Sequence, residues 1–174
     1  ERLVITSDYG TIIKNDGGYI FVKKDTSYVT DIELKDITIR GSKDTKLCKS
    51  PDFINVVIDN CKLENFDCLV DSDTYMQNIR LTNSLITGGD GSLFKACGFY
   101  GLYIEGNTIE HRKGYVVEQT YKDGNMYDSC YFINMVNNLI EGFTSGGIGY
   151  FKKISKVNIS NNYFENMKNN IILD

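Results

Sequence analysis

Three glutamates, Glu110, Glu141 and Glu165, each follow an apolar residue at the end of a short segment: Thr108-Ile109-Glu110, Leu139-Ile140-Glu141 and Tyr163-Phe164-Glu165. If these segments are neighbouring strands, the carboxylates stack about 5 Å apart. Carboxylates at that distance repel, and a shared proton or a cation such as calcium relieves the repulsion. Paired carboxylates also serve glycoside hydrolysis, about 5–5.5 Å apart for retention and roughly 6.5–9.5 Å for inversion. The plainer alternative is a solvated acidic stripe balanced by Lys113 and Lys168.

A second acidic group comprises Asp67, Asp71, Asp73 and Asp90. Asp71 also heads an outward column, Asp71, Lys95, Glu118, in which charges alternate as in a salt-bridged ladder. His111, the only histidine, stands with Arg112 and Lys113 in a short basic patch. That patch suits a phosphate or carboxylate of an acidic polymer, or is simply a solvated turn. Tyr103, Tyr121 and Tyr127 offer rings and hydroxyls for sugar contacts. The candidate catalytic residues are therefore Glu110, Glu141 and Glu165. The candidate substrate-binding residues are Tyr103, His111, Arg112, Tyr121, Tyr127, Asp71 and Asp90. No metal site and no cofactor is expected, with calcium on the carboxylates the one option left open.

Composition narrows the classes. The chain has 174 residues, 41% of them apolar, which suits one domain with a real core. A net charge of −4 argues against a nucleic-acid groove. No apolar run approaches the roughly 18–20 residues of a membrane helix. The five cysteines, Cys48, Cys61, Cys68, Cys97 and Cys130, are odd in number and lack a C-x-x-C pair. They read as small buried hydrophobes.

The elements that must position these side chains follow from an internal repeat. Six segments begin at Ile32, Val56, Ile79, Leu102, Ile133 and Val157, spaced 24, 23, 23, 31 and 24 residues apart. Two residues on stand Leu34, Ile58, Leu81, Ile104, Met135 and Ile159. Seven residues on stand Ile39, Leu63, Ile86, Ile109, Ile140 and Phe164. All three columns are apolar throughout. Between them, four residues after the start, lie Asp36, Asn60, Asn83, Gly106, Asn137 and Asn161. These residue types tolerate a left-handed turn. A third apolar patch follows at Leu69-Val70, Leu93-Phe94, Val116-Val117, Ile148 and Ile171-Ile172, often after glycines such as Gly88-Gly89 and Gly146-Gly147.

Alternation lasts only four to six residues before asparagine or glycine breaks it, so the segments are strands rather than helices. The expected fold is all-β: a right-handed, single-stranded parallel β-helix of about seven coils, with Leu3–Lys23 as a less regular first coil. One domain spans 1–174, and seven coils give a rod of roughly 30 Å. Asn60 with Asn83, and Asn137 with Asn161, are expected to form amide ladders between coils. The 31-residue spacing marks a surface-loop insertion at 118–128 that contains Tyr121 and Tyr127. The first residue is Glu1 and no capping helix covers the last coil, so the chain is expected to be cut from a longer one.

This repeat resembles the pectate-lyase-like parallel β-helix superfamily. The enzyme motifs of its polygalacturonase-like members are missing, and Asn107-Thr108-Ile109 departs from their Asn-Thr-Asp. The composition and the uncapped coil resemble phage tail spikes. That resemblance implies a homotrimer in the virion tail that binds, and in some cases degrades, host cell-surface polysaccharide or teichoic acid. The alternatives are a secreted, extracellular polysaccharide lyase or hydrolase and a non-catalytic rod.

Overall fold

The computed structural model describes residues 2–7, 12–23, 31–50, 53–120, 130–153 and 155–173. Within them every regular element is a strand. The first coil holds β1 (Arg2–Thr6), β2 (Ile12–Lys14) and β3 (Gly18–Phe21), and the second β4 (Asp31–Lys35) and β5 (Thr38–Lys49). The third holds β6 (Val56–Asp59) and β7 (Lys62–Asp71), and the fourth β8 (Tyr75–Thr82), β9 (Leu85–Thr87) and β10 (Phe94–Ala96). The fifth holds β11 (Gly98–Glu105), β12 (Thr108–Glu110) and β13 (Val117–Gln119). The sixth holds β14 (Cys130–Val136), β15 (Leu139–Glu141) and β16 (Gly149–Phe151), and the seventh β17 (Val157–Ser160), β18 (Tyr163–Glu165) and β19 (Ile171–Leu173).

The first strand of every coil joins one seven-stranded sheet in the order β1-β4-β6-β8-β11-β14-β17, and every pairing is parallel. Seven rungs make six complete turns, so the chain is the expected parallel β-helix. The remaining strands form a second sheet with two limbs. One runs β2-β5-β7-β9-β12-β15-β18 and the other β3-β5-β7-β10-β13-β16-β19. The limbs merge because β5 and β7 pass through the corner without a break.

Register follows the apolar columns. Ile32, Val56, Ile79, Leu102 and Ile133 align and are all buried. Ile39, Leu63, Ile86, Ile109 and Ile140 form a second buried column. Each coil has too little apolar surface to close a core alone, and stacking makes the core continuous.

Turns fall where expected. Asp36, Asn60, Asn83, Gly106, Asn137 and Asn161 all have positive φ, between 50° and 68°. The amide ladder, however, stands one residue further on. Asn60 and Asn83 face outward, and their amides donate to Asp36 (2.5 Å) and Asp59 (3.0 Å) instead of to each other. The inward column is Cys61, Ser84, Asn107 and Asn138, all buried, followed by the half-buried Asn162. In it the Ser84 hydroxyl accepts from the Cys61 N–H, the Asn107 carbonyl from Ser84, the Asn138 carbonyl from Asn107, and the Asn162 carbonyl from Asn138. A left-handed residue turns its own side chain to solvent, and the next residue points back at the core.

The inserted stretch is also shorter than its expected bounds, because Glu118 and Gln119 belong to β13. Residues 121–128, including Tyr121 and Tyr127, lie outside the described residues.

Candidate functional site: an axial groove

The face after the third-strand limb begins carries a polar groove of 340 Å³. Its lining comes from four successive coils: Lys46, then Asp67 and Asp71, then Asp90 and Lys95, then Tyr115 and Glu118. Three inter-coil steps of about 4.8 Å make it an elongated trough of about 14 Å along the axis. Parallel in-register pairing places Asp71 beside Lys95 and Lys95 beside Glu118. The expected outward column is thus present, but its partners differ at one end. Lys95 pairs with Glu118 at 3.2 Å, whereas Asp71 takes Lys46 at 2.8 Å and the Tyr19 hydroxyl at 2.6 Å.

These contacts set the local electrostatics. Burial first, then the bond to Asp71, pushes the Tyr19 hydroxyl well up, so it remains a donor. Burial alone would lower the Lys46 ammonium, but the hydrogen bond and charge of Asp71 outweigh it and raise it. The Ser92 hydroxyl donates to Glu118 at 2.6 Å and accepts from the Tyr115 N–H at 2.9 Å. On the rim Lys113 pairs with Asp90 at 2.9 Å, so Lys113 is not the neutraliser of the glutamate stripe. The Tyr115 ring stands beside Tyr150, with centroids 5.9 Å apart. Gly91 and Gly114 are required in the floor, because a Cβ on Gly114 would run into the backbone of Gly91. Of the acidic group Asp67, Asp71, Asp73 and Asp90, all but Asp73 line this groove.

Arg112 belongs beneath this groove rather than on a basic patch. Its side chain is 0% exposed. Its Nη2 donates to the carbonyls of Phe66 (2.9 Å), Asp67 (3.1 Å) and Gly91 (2.8 Å), and Nη1 to the carbonyl of Gly88. Burial lowers its pKa to about 10, which leaves it cationic at neutral pH. It has no surface to offer a ligand; it ties together the two loops that carry Asp67 and Asp90. The missed signal was its column. Ten residues after each repeat start stand Ser42, Phe66, Gly89, Arg112, Phe143 and Met167. Phe66 and Phe143 are core residues, and Met167 packs against them. Gly89 leaves the space through which the guanidinium passes.

The other candidates are spread over the outer faces. Tyr103 lies on the first sheet with the Arg80 guanidinium 4.3 Å from its ring centroid and the Phe132 ring at 5.4 Å, so its ring already packs against both. Glu110, Glu141 and Glu165 are in register on β12, β15 and β18 as expected. Glu110 and Glu141 come together with His111, one ligand atom of each lying within 4.8 Å of the others. Glu165 stands apart from that group and accepts from the Tyr163 hydroxyl at 3.3 Å. None of these three glutamates lines the groove. A larger hollow of 620 Å³ opens over the turn column at Asp36, Asn60 and Asn83, where the side chains are committed to the turns. The four described cysteines, Cys48, Cys61, Cys68 and Cys97, are buried and form no disulfide with one another. Burial raises the Cys68 thiol well above its usual range, so it is an inert wall of the groove.

Fold and site together define a parallel β-helix with a polar trough along its axis. No protein family, curated protein or solved structure matches the chain.

Proposed function

We propose that this β-helix binds an extended polysaccharide along the groove, in the manner of a phage tail spike or tail appendage engaging host cell-surface polysaccharide or teichoic acid. The observation that carries this reading is the trough itself. It crosses four coils and is lined by hydroxyl, carboxylate and ammonium groups beside a half-buried aromatic pair, Tyr115 and Tyr150. Sugars are recognised by such a mixture: planar hydrogen bonds from carboxylates and amines, and an aromatic face for the apolar side of the ring. A compact cofactor would favour an enclosed pocket.

The reading is one of binding. The carboxylates expected to cleave lie off the groove, so degradation is no part of it. The virion tail is the setting it implies, and the intact protein is then a homotrimer, which chemical cross-linking would detect. The direct test is an array of bacterial polysaccharides and teichoic acids probed with the wild type, Tyr115→Ala and Asp71→Asn. At least one glycan should bind, and each variant should bind it at least about tenfold more weakly, a loss of roughly 1.4 kcal/mol. An array with no wild-type signal, or a Tyr115→Ala variant that binds like the wild type, overturns the proposal.

A further inference from the structure

The geometry points to a binding site for a divalent transition-metal ion, of the zinc class, formed by Glu110, His111 and Glu141 on the outer face of the helix. This inference is independent of the groove. One nitrogen of His111 and one carboxylate oxygen from each glutamate lie within 4.8 Å of one another. A metal bonded at about 2.0–2.2 Å holds its ligand atoms at most about 4.2 Å apart. His111 is exposed and the two glutamates are half-exposed, so small side-chain rotations close the remaining gap.

The backbone beneath is rigid. Glu110 and Glu141 are in-register partners on β12 and β15, and the His111 N–H donates to the Glu141 carbonyl at 3.2 Å.

Comparison between coils of this same chain singles out the position. At the corner nine residues after the repeat start, four of the other five coils carry Asn65, Gly88, Gly142 and Asn166 with positive φ; the coil that begins at Ile32 has Gly41 there. Asparagine and glycine are the residues that conformation favours. His111 occupies the same corner at φ 57°. Room for its ring comes from the next coil: a Cβ on Gly142 would lie 3.0 Å from His111 Nδ1.

Charge singles it out as well. In the same column two coils before Glu110, Glu64 is neutralised by Arg40 at 2.6 Å and Lys62 at 2.7 Å. Among the described residues, Glu110 and Glu141 have no ion-pair partner, and the adjacent Lys113 is committed to Asp90. Two uncompensated carboxylates beside an imidazole make a nitrogen–oxygen donor set. Imidazole suits zinc and its neighbours, whereas calcium takes oxygen ligands. The site therefore discriminates against calcium, the ion that a ladder of glutamates alone would hold. Three protein ligands leave open positions for water or for an anionic group of a ligand.

Isothermal titration of the full chain with zinc chloride, and separately with calcium chloride, tests this. The variants are His111→Asn and Glu141→Gln. Asparagine already occupies the equivalent corner of two other coils, so His111→Asn should keep the wild-type circular dichroism and unfolding temperature. Zinc should bind the wild type with a single equivalent, at least tenfold more weakly in both variants, and calcium at least tenfold more weakly than zinc. Zinc binding that survives His111→Asn, calcium binding as tight as zinc, or no zinc binding at millimolar concentration each overturns the inference. None of these results bears on the glycan array.

Discussion

Arg112 shows how far one side chain can depart from what its neighbours suggest. It stands between His111 and Lys113, both exposed, yet it points into a column of phenylalanines. A buried guanidinium is tolerable only if its donors are met, because desolvating an unpaired charge is expensive. Four carbonyls from two coils meet its two terminal nitrogens, while Nε is buried without a partner. The planar fork of arginine reaches acceptors in several directions at once, and an ammonium on a single stem does not. Arg112→Lys should therefore keep the charge but lose the tie between the loops. The expected cost is about 3 kcal/mol, seen as a lower midpoint in urea unfolding. A midpoint equal to the wild type would show that the loops hold without it.

At the scale of the element, the turn between the first and second strands of each coil has two adjacent jobs. The left-handed residue bends the chain, and its successor ties one coil to the next from inside. Asn138 illustrates the second. Its side-chain carbonyl accepts from both the N–H and the amide of Asn107, and its amide donates to the Ile104 carbonyl and to Asn162. Three of the four bonds are buried and the one to Asn162 is part-buried, and an unmet buried polar group costs about 1–3 kcal/mol. Asn138→Ala orphans several at once and should destabilise the protein by on the order of 3 kcal/mol in chemical denaturation. Asn137→Gly, on the exposed neighbour whose φ is 57°, should change stability by well under 1 kcal/mol.

Across the whole molecule, stability is a sum over coils and the interfaces between them. The fully buried side chains run from Ile32 to Phe151. In the outer coils Leu3, Val4, Ile12, Val22, Tyr163 and Ile171 are exposed. Among the described residues of these 174, β1 and β17 pair on one side only, whereas the strands between them pair on both. Hydrogen exchange should accordingly be fastest in β1–β3 and β17–β19 and slowest in β8, β9, β11 and β12. Uniform protection along the helix would mean that it opens only as a unit.

The periodic part of this protein was legible in its amino-acid sequence. Alternation over a few residues, broken by asparagine at a spacing of 23 or 24, determined strand, turn and stacking together, because a coil of that length repeats its inward positions in register. The apolar columns, the left-handed turns and the in-register glutamates follow from that spacing alone. Features that depend on what lies beside a residue, one coil above or below, were decided only in three dimensions. The buried amide ladder sits one residue past the turn because a left-handed residue and its successor face opposite ways. Arg112 goes inside because Gly89 leaves it a passage and carbonyls of two other coils receive it. Asp71 takes Lys46 and Tyr19 rather than Lys95, and Glu110 and Glu141 gather around His111 but not Glu165, because side chains choose partners by distance rather than by column.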